Sequence, residues 1–484
     1  MPNLHLSLPK FTPRLTTSHS PLRLARRPLS TATSEWSDPM RYARTRLPVD
    51  EATTLPGAVY HDEAFFQLEK KNVFHSSWVA AAELVDLQNP GDVVPTNIGG
   101  APVLLVNDKG VIRAFHNVCR HRGAQLVHDK CSKRSTILCP YHRWGYALDG
   151  RLVGTPSFDD DPNGKRVPEK LREKFRTNHV KDFDKNAMGL HPVRVDCALG
   201  LAFVNLNGEA PALREWFGDL LPEFDDFDRA LSIGNVKGTH RKVYDIAANW
   251  KVLMENYLEY YHLPAVHPDL CKVSGVDEHC RFQGSGMYMA FCTDPLTVGG
   301  TPLDPGRLPN FPSLYPHRAG KAYHVALFPN TFFSLYPDAL FRVVLSPQSA
   351  GRTLEHATLM THDGALSVPD AEAKIEELFA FWDQINTEDI VICETVQRGI
   401  IAPAYEGGRF SFRFEEPLHR FQNMVVDKML PDAPTRYRIP VGDVVEDLGE
   451  STAAPVLVAT ASEQAVASPP APAASTLSAC IAAA

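Results

Sequence analysis

The chain has 484 residues, enough for two or three domains with their own cores, and its 44% hydrophobic content is ordinary for a globular protein. No apolar run approaches the ~20 residues of a membrane span. A net charge of −8 argues against nucleic acid or an anionic membrane as a general partner.

Residues 1–34 differ in composition from the rest of the chain. They contain Lys10, Arg14, Arg23, Arg26 and Arg27, many Ser and Thr, and no acid before Glu35. This composition predicts an organelle transit peptide, with "RLARRPLSTA" as its cleavage neighbourhood. The short, arginine-dense form favours the mitochondrial matrix over the chloroplast stroma. Without this segment the chain is five charges more negative. Nine cysteines in so long a chain make no disulfide framework, and an organelle address predicts reduced thiols available for metals.

Residues 35–76 read as a leading segment ending in an amphipathic helix at "DEAFFQLEKKNVF". Residues 77–207 read as a small all-β domain. Its strands are punctuated by turns, with Asp108 and Gly110 around one hairpin and Asp149-Gly150 at another. Residues 208–445 mix helical patterns ("LREWFGDLLPEF", "DAEAKIEELFAFWDQI") with apolar strands ("YHVALFPNTFFSLYP", "LFRVVLSPQ"), which predicts an α+β domain. Residues 446–484 are Ala, Pro, Ser and Thr with little to bury, and are expected to be a disordered tail.

Within the β domain, Cys119 and His121 form C-x-H, and Cys139 and His142 form C-x-x-H. Two short loops, each with one thiolate and one imidazole, suit a Rieske [2Fe-2S] cluster with two Cys on one iron and two His on the other. A structural zinc would accept the same four ligands, although zinc fingers usually pair Cys with Cys and His with His. Cys131, His116 and His128 lie nearby at no useful spacing. Arg120, Arg122, Lys130, Lys133, Arg134 and Arg143 make these loops basic, a plausible dock for an acidic electron donor such as a ferredoxin.

Further on, "NWKVLMENYLEYYHLPAVHPDL" carries Glu259, His262 and His267. Its periodicity predicts a helix running through His262, with Glu259 on the same face and a break at Pro264. Such a kink would let two histidines five apart converge on one ion. Two imidazoles and a carboxylate form the facial triad suited to Fe(II) and O₂. The carboxylate selected is Asp389, expected in the first turn of a helix capped by Thr387 and closed by Gly399. Asp383, Glu388 and Glu394 are its rivals. A purely structural reading, with core histidines and no second metal, would leave an electron carrier or a zinc-stabilised binding module.

Taken together, "CRHRG…CPYHRWGY.LDG" and "NWK…ENYLEYYHLPAVHP" resemble the catalytic α subunit of the Rieske non-heme iron oxygenases, the ring-hydroxylating oxygenase α-subunit family, over residues 60–440. The resemblance implies a Rieske domain joined to a helix-grip (START-like) catalytic domain with an antiparallel sheet, assembled as a head-to-tail homotrimer. It implies cluster ligands Cys119, His121, Cys139 and His142, and mononuclear iron ligands His262, His267 and Asp389, with Glu394 as the family's downstream glutamate. Electrons from a ferredoxin or NAD(P)H-dependent reductase would pass from His142 of one subunit through Glu259 of the next to His262. Glutamate at the bridge resembles the branch acting on quaternary ammonium compounds, including choline monooxygenase. Hydroxylation of choline or N-demethylation of glycine betaine or a carnitine-like compound is therefore expected ahead of aromatic-ring hydroxylation. Aromatic faces would hold such a cation. Tyr257, Tyr261 and Phe333 are the first candidates, with Tyr260, Phe291, Phe332 and Tyr336 behind them. Asn256 and Gln397 are expected to tune the iron site through hydrogen bonds.

Overall fold

The computed structural model describes residues 35–431, apart from 157, 159–179, 181, 233–235, 283, 295, 299–300 and 303–307, together with the strands at 435–438 and 456–459. The basic segment 1–34 lies outside the described residues. In the Ala/Pro-rich tail, expected to be without structure, Val456–Ala459 is a strand paired antiparallel with Thr435–Arg438.

The first half is β structure. Its larger sheet has six strands: β1 (Val79–Glu83), β2 (Val93–Ile98), β3 (Ala101–Asp108), β4 (Val111–His116), β8 (Pro192–Ala198) and β9 (Leu201–Asn205). They lie side by side in the order β1-β9-β8-β4-β3-β2. Beside it stands a three-stranded sheet of β5 (Thr136–Leu138), β6 (Gly145–Ala147) and β7 (Leu152–Gly154). The two turn signals fall where the sequence placed them. Asp108 pairs with Val111 across Lys109 and Gly110, both at positive φ, which matches the twist of a tight hairpin. Gly150 has φ 91°, and a Cβ there would lie 2.5 Å from the Phe115 ring, so only glycine fits this turn.

The second half is built on a seven-stranded antiparallel sheet. It comprises β10 (Val236–Ile246), β11 (His279–Phe282), β12 (Tyr288–Thr293), β15 (Ala322–Leu327), β16 (Thr331–Leu335), β17 (Leu340–Ser349) and β18 (Arg352–His362), with a small ribbon of β13 (Thr297–Val298) and β14 (Thr301–Pro302) beside it. The α+β class expected from the sequence is the one observed. "LREWFGDLLPEF" forms two short helices, Leu213–Phe217 and Leu220–Glu223, because Gly218 takes positive φ between them.

Two helical predictions need correction. The helix expected to run through His262 stops earlier: Trp250–Tyr257 is helical, and a new turn, Leu263–Val266, starts with Pro264 in its first positions. Glu259 therefore lies between helices rather than on a shared helical face. The helix expected to begin at Thr387 is instead the middle of one 30-residue helix, Ala371–Ile400. Its buried positions Ile375, Leu378, Trp382, Ile385 and Cys393 recur at helical steps straight past Thr387. The Thr387 hydroxyl donates to the Asp383 carbonyl four residues back, which satisfies it inside a helix and removes its role as a cap. Asp389 gains nothing from a helix N-terminus.

The leading segment is not a separate piece. Asp62 caps the helix Glu63–Glu69, as the amphipathic pattern predicted, and that helix delivers Glu69 to a fully buried pair with Lys251 at 2.7 Å. Tyr60 donates to Glu255 at 2.7 Å, which also accepts from Gln422 of the helix Glu416–Met429 at 3.0 Å. Burial pushes the Glu255 carboxyl up to about 7. These contacts clamp the helix Trp250–Tyr257 from both sides; removing one partner of such a buried pair costs about 3–5 kcal/mol. The expectation of reduced thiols fails at one position, since Cys292 is disulfide-bonded; its cross-strand neighbour in register is Cys280.

Candidate metal centres

The first centre is built by two loops of matching construction. Cys119 N–H donates to the Ala124 carbonyl and Gly123 N–H returns to the Cys119 carbonyl; Cys139 N–H donates to Trp144 and Arg143 N–H returns to Cys139. In each loop the fourth residue after the cysteine takes positive φ, Gly123 at 73° and Arg143 at 61°. Both thiols are buried, and burial raises the Cys119 pKa in the absence of a cation. The two imidazoles meet with His121 Nδ1 3.1 Å from His142 Nδ1. Two buried thiols and two imidazoles that meet through Nδ1 are the donor set of a Rieske cluster, so these residues fit the group. Tyr146 Oη lies 3.3 Å from Cys119 Sγ and accepts from Arg120 N–H, a tuning contact that no spacing in the sequence signals. Trp144 stacks on His121 and Tyr141 on His142.

Cys131 pairs by its backbone with Val93, apart from the two cluster loops. Two of the basic residues expected to attract a donor are engaged within the chain. Arg120 donates to the Gly189 carbonyl at 2.7 Å and Lys130 pairs with Asp86 at 2.5 Å. Arg122 lies over the Tyr141 ring at 5.3 Å.

At the second centre His262, His267 and Asp389 each offer one ligand atom within 4.8 Å of the others. His267 Nε2 is 2.9 Å and His262 Nε2 3.4 Å from the same oxygen, Asp389 Oδ1. Both Nδ1 atoms are held from behind, His262 by Glu259 at 2.5 Å and His267 by Glu388 at 2.8 Å. Carboxylates on the outer ring nitrogens fix the tautomer and turn both Nε2 atoms inward, as in metal-bound histidines. Glu388, a rival for the third ligand position on sequence grounds, thus takes this supporting place. Asp383 bonds Lys242 and Tyr244 instead, and Glu394 accepts from Ala247 N–H.

The charges at this centre call for a cation. Burial works against ionising Asp389, yet hydrogen bonds from His262 and His267 hold it down at about 2. Burial likewise opposes charge on His262, but Asp389 and Glu259 outweigh it and lift the imidazole to about 10. Three carboxylates around two imidazoles bind protons tightly when no other positive charge is present. An Fe(II) ion on the two Nε2 atoms and Asp389 meets the same demand, and the set matches the facial triad.

From this centre a pocket of about 620 Å³, its mouth included, extends to the sheet. Tyr257, Phe291, Phe332, Phe341 and Trp382 line it, together with Asn256 and Asn386. The substrate-contact predictions are only partly met. Tyr257 lines the pocket, but its hydroxyl is committed to the Phe333 carbonyl at 2.7 Å. Phe333 points to the opposite side of β16, and its neighbour Phe332 takes the lining position, because strand residues alternate faces. Tyr261 is 61% exposed and stacked on Phe414, away from the lining. Tyr260 packs on His279, and Tyr336 lines a neighbouring hollow. Gln397 bonds Asn249 N–H and the Tyr60 carbonyl, so its role is to tie the helices together.

Comparison with known proteins places this geometry. Residues 77–170 match the Rieske [2Fe-2S] domain, and residues 233–431 the catalytic domain of the ring-hydroxylating α subunit. The glycine betaine monooxygenase oxygenase subunit of Chromohalobacter salexigens is 30% identical over 451 residues, 82% of this chain and 92% of that one. The chloroplastic choline monooxygenase of Beta vulgaris is 26% identical over 383 residues, 78% and 77% of the two chains. In fold, the quaternary ammonium Rieske monooxygenase CntA in complex with L-carnitine superposes with a TM-score of 0.64 at 24% identity, over 80% of this chain and 97% of that one. With a cluster domain, an iron-binding catalytic domain and relatives that are monooxygenase oxygenase subunits, this chain belongs to the Rieske non-heme iron oxygenases, alongside those named for quaternary ammonium compounds.

Proposed function

We propose that the protein hydroxylates choline at its carbinol carbon, giving betaine aldehyde hydrate. The observation that carries this reading is the pocket. It starts at His262, His267 and Asp389, is walled by five aromatic rings, and has no Lys or Arg among its described lining residues. Aromatic faces attract a cation that has no N–H to donate, and the absence of positive charge removes the usual repulsion.

Bound at the triad, the iron supplies O₂ activation, with electrons delivered through the cluster. The chain's own residues do the rest. Glu259 and Glu388 keep both Nε2 atoms aimed at the metal. Phe332 stacks on Tyr257 with centroids 4.2 Å apart, and the Tyr257–Phe333 hydrogen bond fixes that slab. Phe341 stacks on Trp382 at 5.0 Å and makes a second one. Apolar walls exclude water from the reacting carbon. One oxygen atom enters the C–H bond and the other leaves as water, consuming two electrons and two protons. Glu259 is hydrogen-bonded to His262 and to the backbone N–H of Tyr261 and His262, and in a homotrimer it would serve as the hydrogen-bonded bridge between His142 of one subunit and His262 of the next, with the electron passing on to the iron. An acidic ferredoxin or a reductase would load the cluster.

A second reading is N-demethylation of glycine betaine, supported by the relative from Chromohalobacter salexigens. Hydroxylation of an N-methyl group there gives a hemiaminal that loses formaldehyde. A single-turnover assay separates the two: the protein is chemically reduced, mixed with choline or glycine betaine, exposed to O₂, and the products identified by mass spectrometry. Betaine aldehyde from choline supports the first reading, whereas dimethylglycine and formaldehyde from glycine betaine replace it with the second. For location, the N-terminal basic segment supports import into the mitochondrial matrix, which a fluorescent fusion of residues 1–34 tests directly.

A further inference from the structure

The wall of the pocket formed by the sheet is polar in one place, and that place has an unusual hydrogen-bond balance. On β11 and β12, His279 is the cross-strand neighbour of Thr293, with Ser274 beside them. His279 Nδ1 lies 2.7 Å from the Gly275 carbonyl, which can only accept, so Nδ1 carries the proton and Nε2 presents a lone pair. The groups facing that lone pair are the Thr293 and Ser274 hydroxyls at 3.3 and 3.5 Å, both long for O–H···N contacts. Those two hydroxyls are 2.8 Å apart and bond each other. His324 stands next in the wall, its Nδ1 2.9 Å from Ser334 Oγ.

The charged groups described around this wall are already engaged. Glu278 accepts from Gly275 N–H, Arg281 donates to the Phe412 carbonyl, and Asp294 pairs with Lys321. Tyr260 is stacked flat on His279. Burial holds both imidazoles neutral, His279 down at about 4 and His324 at about 3. A carboxylate brought against His279 would meet a neutral imidazole while Arg281 and Lys321 are held by other partners, and burying a poorly paired charge is costly. A hydroxyl would find an acceptor ready for its proton.

Resting on the quaternary-ammonium reading above, we propose that His279 Nε2, with the Ser274 hydroxyl beside it, accepts the hydroxyl proton of an alcohol-bearing quaternary ammonium, so that this wall selects an alcohol over the carboxylate of a betaine. The cation then lies among the aromatic rings, and the anchored hydroxyl leaves the carbinol carbon, one bond away, to face His262, His267 and Asp389.

The test is calorimetric binding to anaerobic protein loaded with cluster and iron, using choline, ethyltrimethylammonium (choline without its hydroxyl) and glycine betaine. Choline should bind about tenfold more tightly than ethyltrimethylammonium, the loss expected when a buried acceptor goes unfilled, and glycine betaine more weakly than either. His279→Asn keeps a donor for the Gly275 carbonyl but removes Nε2; it should bring choline down to the affinity of ethyltrimethylammonium without changing the latter. Ser274→Ala should give a smaller loss in the same direction. If the cations bind but the hydroxyl makes no difference, or glycine betaine binds best, the subsite is wrong while the quaternary-ammonium reading survives. If none of the three binds, that reading fails and the subsite with it. The wild-type comparison stands even if His279→Asn does not fold.

Discussion

His267 and Asp389 are 122 residues apart in the chain, yet His267 Nε2 lies 2.9 Å from Asp389 Oδ1. One comes from the turn after Pro264, the other from the middle of the 30-residue helix. Their meeting, rather than any local motif, completes the iron site, and Glu388 one position before Asp389 supports it through His267 Nδ1.

Glu388→Gln should therefore weaken iron binding by about 10- to 100-fold, the usual cost of losing a carboxylate behind a ligating histidine. His262→Ala should abolish turnover altogether. In both variants the visible spectrum of the cluster should be unchanged. Iron affinity measured by chelator competition checks the first; loss of iron and cluster together would mean that the residues hold the fold instead.

Glu259→Gln should keep both metals but slow electron transfer from cluster to iron severely. Stopped-flow oxidation of reduced protein with substrate and O₂ reads this rate. Normal coupled turnover in the variant would remove Glu259 from the electron path.

The aromatic lining makes a contrast between neighbours. Phe332→Leu should weaken choline binding by about 2- to 30-fold, corresponding to a cation–π contribution of ~0.5–2 kcal/mol. Tyr261→Ala, at an exposed ring stacked on Phe414, should leave the affinity within about twofold. Equal effects at the two positions would contradict the placement of the cation.

His279 should give the fold a pH dependence of its own, opposite in sign to that of the buried Glu255. Burial lowers the His279 pKa to about 4, so between pH 6.5 and 4 the unfolded chain binds a proton that the folded one refuses. The stability associated with a neutral His279 is complete above pH 6.5 and falls by about 1.4 kcal/mol per pH unit below it. Urea unfolding of wild type and His279→Asn across that window should show a shallower slope for the variant. Parallel slopes would mean that the imidazole is protonated in the fold.

The sequence carried the Rieske domain and the two loops of its candidate cluster site. Cys119, His121, Cys139 and His142 sit on short loops whose closing turns are local, while the meeting of His121 with His142 across the two loops is a tertiary contact. It also carried the α+β class and named His262, His267 and Asp389, the last through family resemblance rather than its helix position; the structure brings these residues together. A helix start at Thr387, the local argument for Asp389, fails because burial of Trp382, Ile385 and Cys393 keeps the helix running where local capping chemistry would stop it. What only the tertiary structure decided is which side chains face the pocket. Phe332 and Phe333 are indistinguishable by composition, and strand register puts one in the pocket and the other behind it. His279, His324 and Ser274 carry no motif at all. His279 and His324 become a wall because β11, β12 and β15 pair in one register, with Ser274 laid against them by the turn before β11, and pairing between distant strands is a property of the packed sheet that no local stretch encodes.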